Sequence, residues 1–277
     1  KAVMSLGMGR KCFRKVPADS EFRMRPDDLE AMIQADLAAG RKPVCVVSTV
    51  GTTAVTSVDP VAEVQQIAAR HRLWHHIDAA YGGVAAMLEE NRWMLEGAAE
   101  ADSLVVNPHK WLFTPIDFSA FYCRRPDVLK DAFSLVPSYL KTENDAHAVN
   151  FMDYGIPLGR RFRALKLWFI LRCFGRRKVH HIIRSHILWA RELAQAIAAE
   201  PGFEVSAPVT MSLVCFRHKA GDDANRAIVE KVNRSGLAFL AGHTLNGAFG
   251  LRIAIGNIGV SREDVFRVWD AVREAAR

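Results

Sequence analysis

No apolar run in the 277-residue chain reaches the roughly 18 residues that a membrane-crossing helix needs, which argues against a membrane protein. The opening KAVMSLGMGRK is too short and too rich in glycine for a secretory signal, so the expected location is cytoplasmic. No Cys-x-x-Cys pair occurs. The five cysteines (Cys12, Cys45, Cys123, Cys173 and Cys215) are odd in number and far apart, which argues against a disulfide framework or a zinc site. They read as buried thiols in a reducing compartment. No HExxH or Cys/His spacing accompanies His75 and His76, or His180, His181 and His186, so these read as strand or helix-surface histidines and no metal is expected. Internal repeats, low-complexity stretches and flexible linkers are absent too. So is an initiator methionine, and no histidine precedes His71.

Half of the residues are hydrophobic, enough for a sizeable core and one large or two ordinary domains. The formal charge is +7, with basic clusters at Arg160, Arg161, Arg163 and Lys166 and at Arg176, Arg177 and Lys178. These alternate with Leu165, Leu167, Trp168, Phe169 and Leu171 at helical spacing, which fits the polar face of a half-buried helix better than a nucleic-acid surface. No zinc-finger, RNA-binding or helix-turn-helix signature is present, so no nucleic-acid partner is expected. Met94, Trp168 and Trp189 fall at core-like spacings.

The first half alternates strand and helix. PVCVVSTVGTT (43–53) reads as a β-branched strand entering a turn, and PVAEVQQIAARHR (60–72) as a helix with Asp59 as N-cap and Pro60 at its first position. WHHIDAAYGG (74–83), SLVVN (103–107) and FSAFYC (118–123) read as further strands, and RPDDLEAMIQADLAA (25–39) as a helix. Helix dominates from about 160 to 200. FEVSA, LVCFRH and LRIAIGN then read as strands around a helix near 223–234, closed by a helix over 261–275. The fold class is α/β, with a large domain over 1–167 and a smaller α+β domain over 168–277. The first half supplies fewer strands than a doubly wound domain normally has, so the sequence reads as the C-terminal part of something longer.

Asp78 ends one apolar strand and Lys110 follows another, 32 residues on, the usual length of a β-to-β crossover. Ligands gather at the carboxyl ends of parallel strands. A lysine and an aspartate facing one crevice form either a simple ion pair or the pair that pyridoxal phosphate requires. That cofactor needs an amine for a Schiff base and a carboxylate to keep its pyridine nitrogen protonated. GTT (51–53) and Asn107 would offer donors to its phosphate.

HIDAAYGG and NPHKWL, with STVGTT before them and IPLGRRFRALKLW (156–168) after, resemble the group II pyridoxal-phosphate-dependent decarboxylases, and among these the aromatic-L-amino-acid decarboxylases. The likeness extends to LVCFR (213–217) and LRIAI (251–255) and so over essentially the whole chain. It implies a large domain like that of the fold type I pyridoxal-phosphate-dependent transferases, a homodimer, and decarboxylation of an L-amino acid, aromatic by that likeness, to an amine. It further implies that Lys110 carries the cofactor, Asp78 pairs with the pyridine nitrogen, Ala80 packs near the ring, and Thr53 and Asn107 help bind it. His109 is either an orienting residue of that site or a buried structural histidine. Tyr139, 29 residues past Lys110 in SLVPSYLKTENDAHA (134–148), matches a loop tyrosine that returns a proton after carbon dioxide leaves. Relatives with phenylalanine there make aldehydes, so Tyr139 favours amine production over aldehyde synthesis. Residues 1–40 contain no match to the family's ring-stacking histidine or phosphate loop, which leaves a non-catalytic fragment as the remaining alternative.

Overall fold

A computed structural model describes residues 2–135 and 149–277. Four short β-rich stretches, β1 (Cys45–Thr49), β2 (Trp74–Asp78), β3 (Ser103–Val106) and β4 (Ala120–Cys123), form one sheet in that order. The first three are parallel and β4 is antiparallel. Helix α1 (Pro26–Ala38) precedes the sheet, and α2 (Val61–Arg70) makes the crossover from β1 to β2, burying Val61, Val64, Ile67 and Ala68. The β2-to-β3 crossover is instead a chain of 3-10 turns over Gly82–Met87 and Glu89–Leu95. A side chain at Gly82 would sit 2.5 Å from the Val50 carbonyl oxygen, so only glycine lets these segments approach so closely.

Asp59 does not cap α2. Its carboxylate accepts the backbone N–H groups of Met24 and Thr49, each at 2.7 Å, and Pro60 takes the N-cap position. The acceptor is thus used to tie two segments to the sheet rather than to close a helix end.

The second sheet contains β5 (Phe203–Val205), β6 (Leu213–His218), β7 (Ala241–Leu245) and β8 (Ala248–Ala254) in the order β5-β6-β8-β7, with antiparallel pairing throughout. Strand β7 is absent from the sequence reading, although Asn246-Gly247, with φ of 50° and 83°, is a strong two-residue hairpin signal. A helix over Asp222–Ser235 connects β6 to β7, and another closes the chain. The last, over Arg262–Ala275, begins with a capping box in which Ser261 and Asp264 exchange side-chain-to-backbone bonds.

One long helix, spanning Ala164–Ala199, serves both sheets. Val179, Ile183 and Ile187 enter the core beside Ile77, Val84 and Trp111, whereas Ala190, Leu193 and Ile197 enter a second core with Phe203, Phe216 and Trp269. Each fully buried Ile or Leu contributes about 1.5–3 kcal/mol, so this stripe sets how the helix lies against both layers. The domain boundary expected at 167/168 falls inside this helix, ahead of its break at Gly175 (φ 68°, ψ 162°).

The helix through residues 165–171 is half-buried as its spacing suggests, but on a narrower face, with Leu167 and Phe174 packed against the core that holds Ile77 and Trp111. Leu165, Trp168, Phe169 and Leu171 lie on its other faces and are exposed. Trp168, expected in the core, is 54% exposed. Met94 is buried as expected. The cysteines also depart from expectation. All five are free, but only Cys215 is buried; Cys12, Cys45 and Cys173 are exposed, since they lie on outward positions of their elements. No helix among the described residues is long and apolar enough to cross a membrane, and no group of three or more His, Cys, Asp or Glu residues among them could hold a metal ion.

Candidate active site

Parallel pairing places Thr49 opposite Asp78 and Asp78 opposite Val105, so the carboxyl ends of β1, β2 and β3 lie side by side. Backbone bonds lace the segments that leave them. Val50 N–H reaches the Asp78 carbonyl (2.9 Å), Gly82 N–H the Val50 carbonyl (3.0 Å), and Asn107 N–H the Ala80 carbonyl (3.0 Å). Asn107 then caps a single-turn helix, α3 (Pro108–Trp111), with Pro108 at its first position and Lys110 inside it. The sequence-derived candidates Asp78, Ala80, Asn107, His109 and Lys110 therefore meet at one edge of the sheet.

Their side chains differ in what engages them. The Asp78 carboxylate accepts the Ala80 N–H at 3.1 Å and is half-buried. Lys110 is exposed and makes no ion pair with Asp78 or any other described residue. Among the described residues the buried Asn107 Oδ1 has no hydrogen-bond partner, an arrangement that costs about 1–3 kcal/mol unless a ligand or water supplies a donor. The Nδ1 of His109 lies against the backbone of Phe118, whose N–H is 3.0 Å away, and this holds the ring beside Lys110. Burial lowers the pKa of the neighbouring His76, and the Asp78 charge opposes that shift, which places His76 within the field of the carboxylate.

Thr53 is exposed on the turn over 51–57. Within the turn the hydroxyls of Thr52 and Ser57 bond each other at 2.8 Å, and Gly51 (φ 88°) packs so tightly that a Cβ would lie 2.9 Å from Gly82 N. The Thr53 carbonyl accepts a 2.7 Å bond from Arg252 of β8, so the second sheet reaches the candidate site. Tyr139 falls at 136–148, outside the described residues.

An exposed amine, a carboxylate and an unsatisfied amide oxygen at adjoining strand ends suit a polar cofactor that is held covalently, by charge and by hydrogen bonds. Comparison with known proteins decides which family builds this arrangement here. Residues 2–219 match the pyridoxal-dependent decarboxylase conserved domain. The chain belongs to the pyridoxal-dependent decarboxylase family. It is 38% identical to the aromatic-L-amino-acid decarboxylase of Drosophila lebanonensis over 269 residues, covering 97% of this chain and 67% of that protein. It is 37% identical to phenylacetaldehyde synthase of Arabidopsis thaliana, covering 100% of this chain and 59% of that protein. Its fold matches the crystal structure of Oryza sativa TDC with PLP and tryptamine at a TM-score of 0.95 and 34% identity, covering 99% of this chain and 59% of that one. This decarboxylase-family chain thus spans about three-fifths of the length of these last two relatives.

Four residues around the site escaped the sequence reading. Tyr81 stacks on Trp111, with ring centroids 4.9 Å apart and planes 7° from parallel. The Trp111 Nε1–H donates to His186 Nδ1 at 3.1 Å, and the Tyr81 hydroxyl bonds the Ser212 hydroxyl at 2.7 Å. Burial pushes the Tyr81 phenol up to about 12, against the opposing effects of Ser212 and Arg252. Tyr81 and Trp111 stand in the quoted motifs, so proximity to Asp78 and Lys110 was a usable signal; Ser212 and His186 carried none. The expectation that His186 lies on a helix surface is corrected: it is fully buried, because the stripe through Ile183, Ile187 and Ala190 turns it inward.

Burial pushes His75 and His186 of this family member down to about 4 each. Their folded pKa values lie below the unfolded value near 6.5, so the unfolded chain binds more protons between those limits. Their contribution is complete above about pH 6.5 and is lost as pH falls towards about 4, on the order of 1–3 kcal/mol each. Urea midpoints should therefore fall between pH 7 and pH 4.5, and the fall should shrink in His75→Gln/His186→Asn. An unchanged pH slope in that variant would remove the histidines as its source.

Proposed function

We infer that this chain is the cofactor-bearing part of an amino-acid decarboxylase that uses pyridoxal phosphate and converts an aromatic L-amino acid to its amine and carbon dioxide. The observation that carries this reading is the meeting of Asp78, Asn107 and Lys110 at adjoining parallel strand ends. The relatives named above support the reaction class and the aromatic substrate.

When bound, pyridoxal phosphate supplies an electron-accepting ring that stabilises the charge left at the α-carbon as carbon dioxide departs. Lys110 is the residue that holds it covalently, since its amine is exposed and unpaired among the described residues. Asp78 would accept a hydrogen bond from the ring nitrogen and keep it charged. Ala80 would pack near the ring, whereas the side-chain N–H of Asn107 and the hydroxyl of Thr53 would donate to the phosphate end. His109, fixed by the Phe118 backbone, orients this group. Tyr139 delivers the proton to the α-carbon. The whole protein is a cytoplasmic homodimer in this reading, supported by the family likeness and by the exposed apolar residues Phe162, Trp168 and Phe169, which a partner copy would cover.

Full-length protein assayed against a panel of L-amino acids should release carbon dioxide and amine in equal amounts from an aromatic substrate, with no peroxide. Release of carbon dioxide from none of them would overturn the reading. Aldehyde synthesis is the second reading, favoured by the Arabidopsis relative. Amine and peroxide measured together separate the two. In air, Tyr139→Phe is expected to lower amine yield by about 10²-fold or more, as loss of a proton-transfer group requires, while dissolved oxygen and water turn the unprotonated product into aldehyde, ammonia and hydrogen peroxide. Quantitative amine formation by that variant would exclude Tyr139 from the reaction.

A further inference from the structure

Lys110 has no side-chain partner among the described residues, yet its neighbour Trp111 is fully buried and held on two sides. Tyr81, three residues past Asp78, covers one indole face, and His186 takes the indole N–H. The contacts therefore join the turn after β2 to α3 and then to the long helix at 164–199, and the Tyr81–Ser212 bond ties the same stack to the segment before β6. The reach of Lys110 is set through Trp111, because nothing described holds the lysine directly.

Position 186 is an unusual place for histidine. Tryptophan donates only, so His186 Nδ1 must be the acceptor and the ring proton sits on Nε2. That atom is buried without completing a hydrogen bond among the described residues, although the Asn257 backbone lies nearby. If packing were the sole requirement, leucine would avoid this desolvation of about 1–3 kcal/mol. We propose that His186 is a positioning residue whose acceptance of the Trp111 N–H fixes α3, and with it the approach of Lys110 to a cofactor held over Asp78. This rests on the reading of Lys110 as the cofactor-bearing lysine.

The test uses full-length protein incubated with pyridoxal phosphate. Two readouts are taken: the rate of borohydride-trappable attachment to Lys110, located by mass spectrometry, and the induced circular dichroism of the bound cofactor. Thermal midpoints serve as the control for folding. His186→Leu and Trp111→Phe should each slow attachment about five- to tenfold, as loss of one buried hydrogen bond predicts, and should change the dichroism band. His186→Asn should restore both, since the Asn Oδ1 replaces Nδ1 as acceptor. The His186→Leu/Trp111→Phe double variant should be no slower than either single one, because all remove the same bond.

Variants that lose thermal stability but keep attachment rate and dichroism within about twofold of the parent, inside the scatter of non-interacting sites, overturn the proposal, as does additivity in the double variant. If His186→Leu fails to fold, Trp111→Phe decides alone, because it keeps an aromatic ring against Tyr81 and removes the donor, while the thermal midpoint reads the separate cost of the smaller ring. A parent protein that attaches no cofactor at Lys110 would overturn the underlying reading as well. Normal attachment in the parent with unchanged variants would overturn the role of His186 alone.

Discussion

Lys110→Ala yields a folded protein that carries no covalently bound pyridoxal phosphate and turns over at least about 10³-fold more slowly, in line with loss of a reacting or proton-transferring group. Folding should survive because the lysine is exposed and engages no described residue, so its removal falls among surface changes of about ±0.5 kcal/mol. The short helix around it keeps its anchors, Asn107 at the N-cap and buried Pro108 and Trp111. Borohydride reduction followed by mass spectrometry should place the cofactor on Lys110 in the parent and on no residue in the variant. Lys166 is the informative competitor, since its Nζ already bonds the carbonyls of Ile116 and Asp117. A label on Lys166 or Lys141 would sink the assignment.

Asp78→Asn should lower turnover by about 10²–10³-fold while preserving the fold, a loss of the size seen when one preorganised electrostatic contact is removed. Asparagine keeps the shape and can still accept the Ala80 N–H through its amide oxygen, but it lacks the charge that would hold a ring nitrogen protonated. Asp78→Ala removes both and should also weaken cofactor binding. Comparing the two variants by turnover and by cofactor dissociation constant separates the contribution of charge from that of packing. Near-parental turnover in Asp78→Asn would exclude the carboxylate from the role assigned to it. The thermal midpoint is expected to change little, because no salt bridge among the described residues depends on Asp78.

Much of the site was legible because its signals are local. A carboxylate ending an apolar strand and a lysine just after another mark Asp78 and Lys110 as candidates, and the likeness of HIDAAYGG and NPHKWL to the family's motifs gives them their proposed roles. The parallel register then brings their strand ends together. The last helix was legible for the same reason: Ser261 and Asp264 lie three residues apart and cap each other. Strand β7 was equally local, and Asn246-Gly247 announced it to a reading attentive to hairpin turns. The failures have a different physical origin. Asp59 sits where a helix cap belongs, but the donors that claim its carboxylate are Thr49 and Met24, and the latter lies 35 residues away. Trp168 has the spacing of a core residue, but its neighbour Leu167 takes the inward position and Trp168 is left exposed.

By itself the sequence determined the alternation of strand and helix, the order of the motifs and the identity of the two residues that define the candidate site, since each depends on neighbours within a turn or a strand. Only the tertiary structure decided what surrounds them. His186 meets Trp111 across 75 residues, and Arg252 meets the Thr53 carbonyl across 199. Hydrophobic periodicity tells which face of an element is buried, but not which distant side chain will supply an acceptor there, because that choice is made by how whole elements pack.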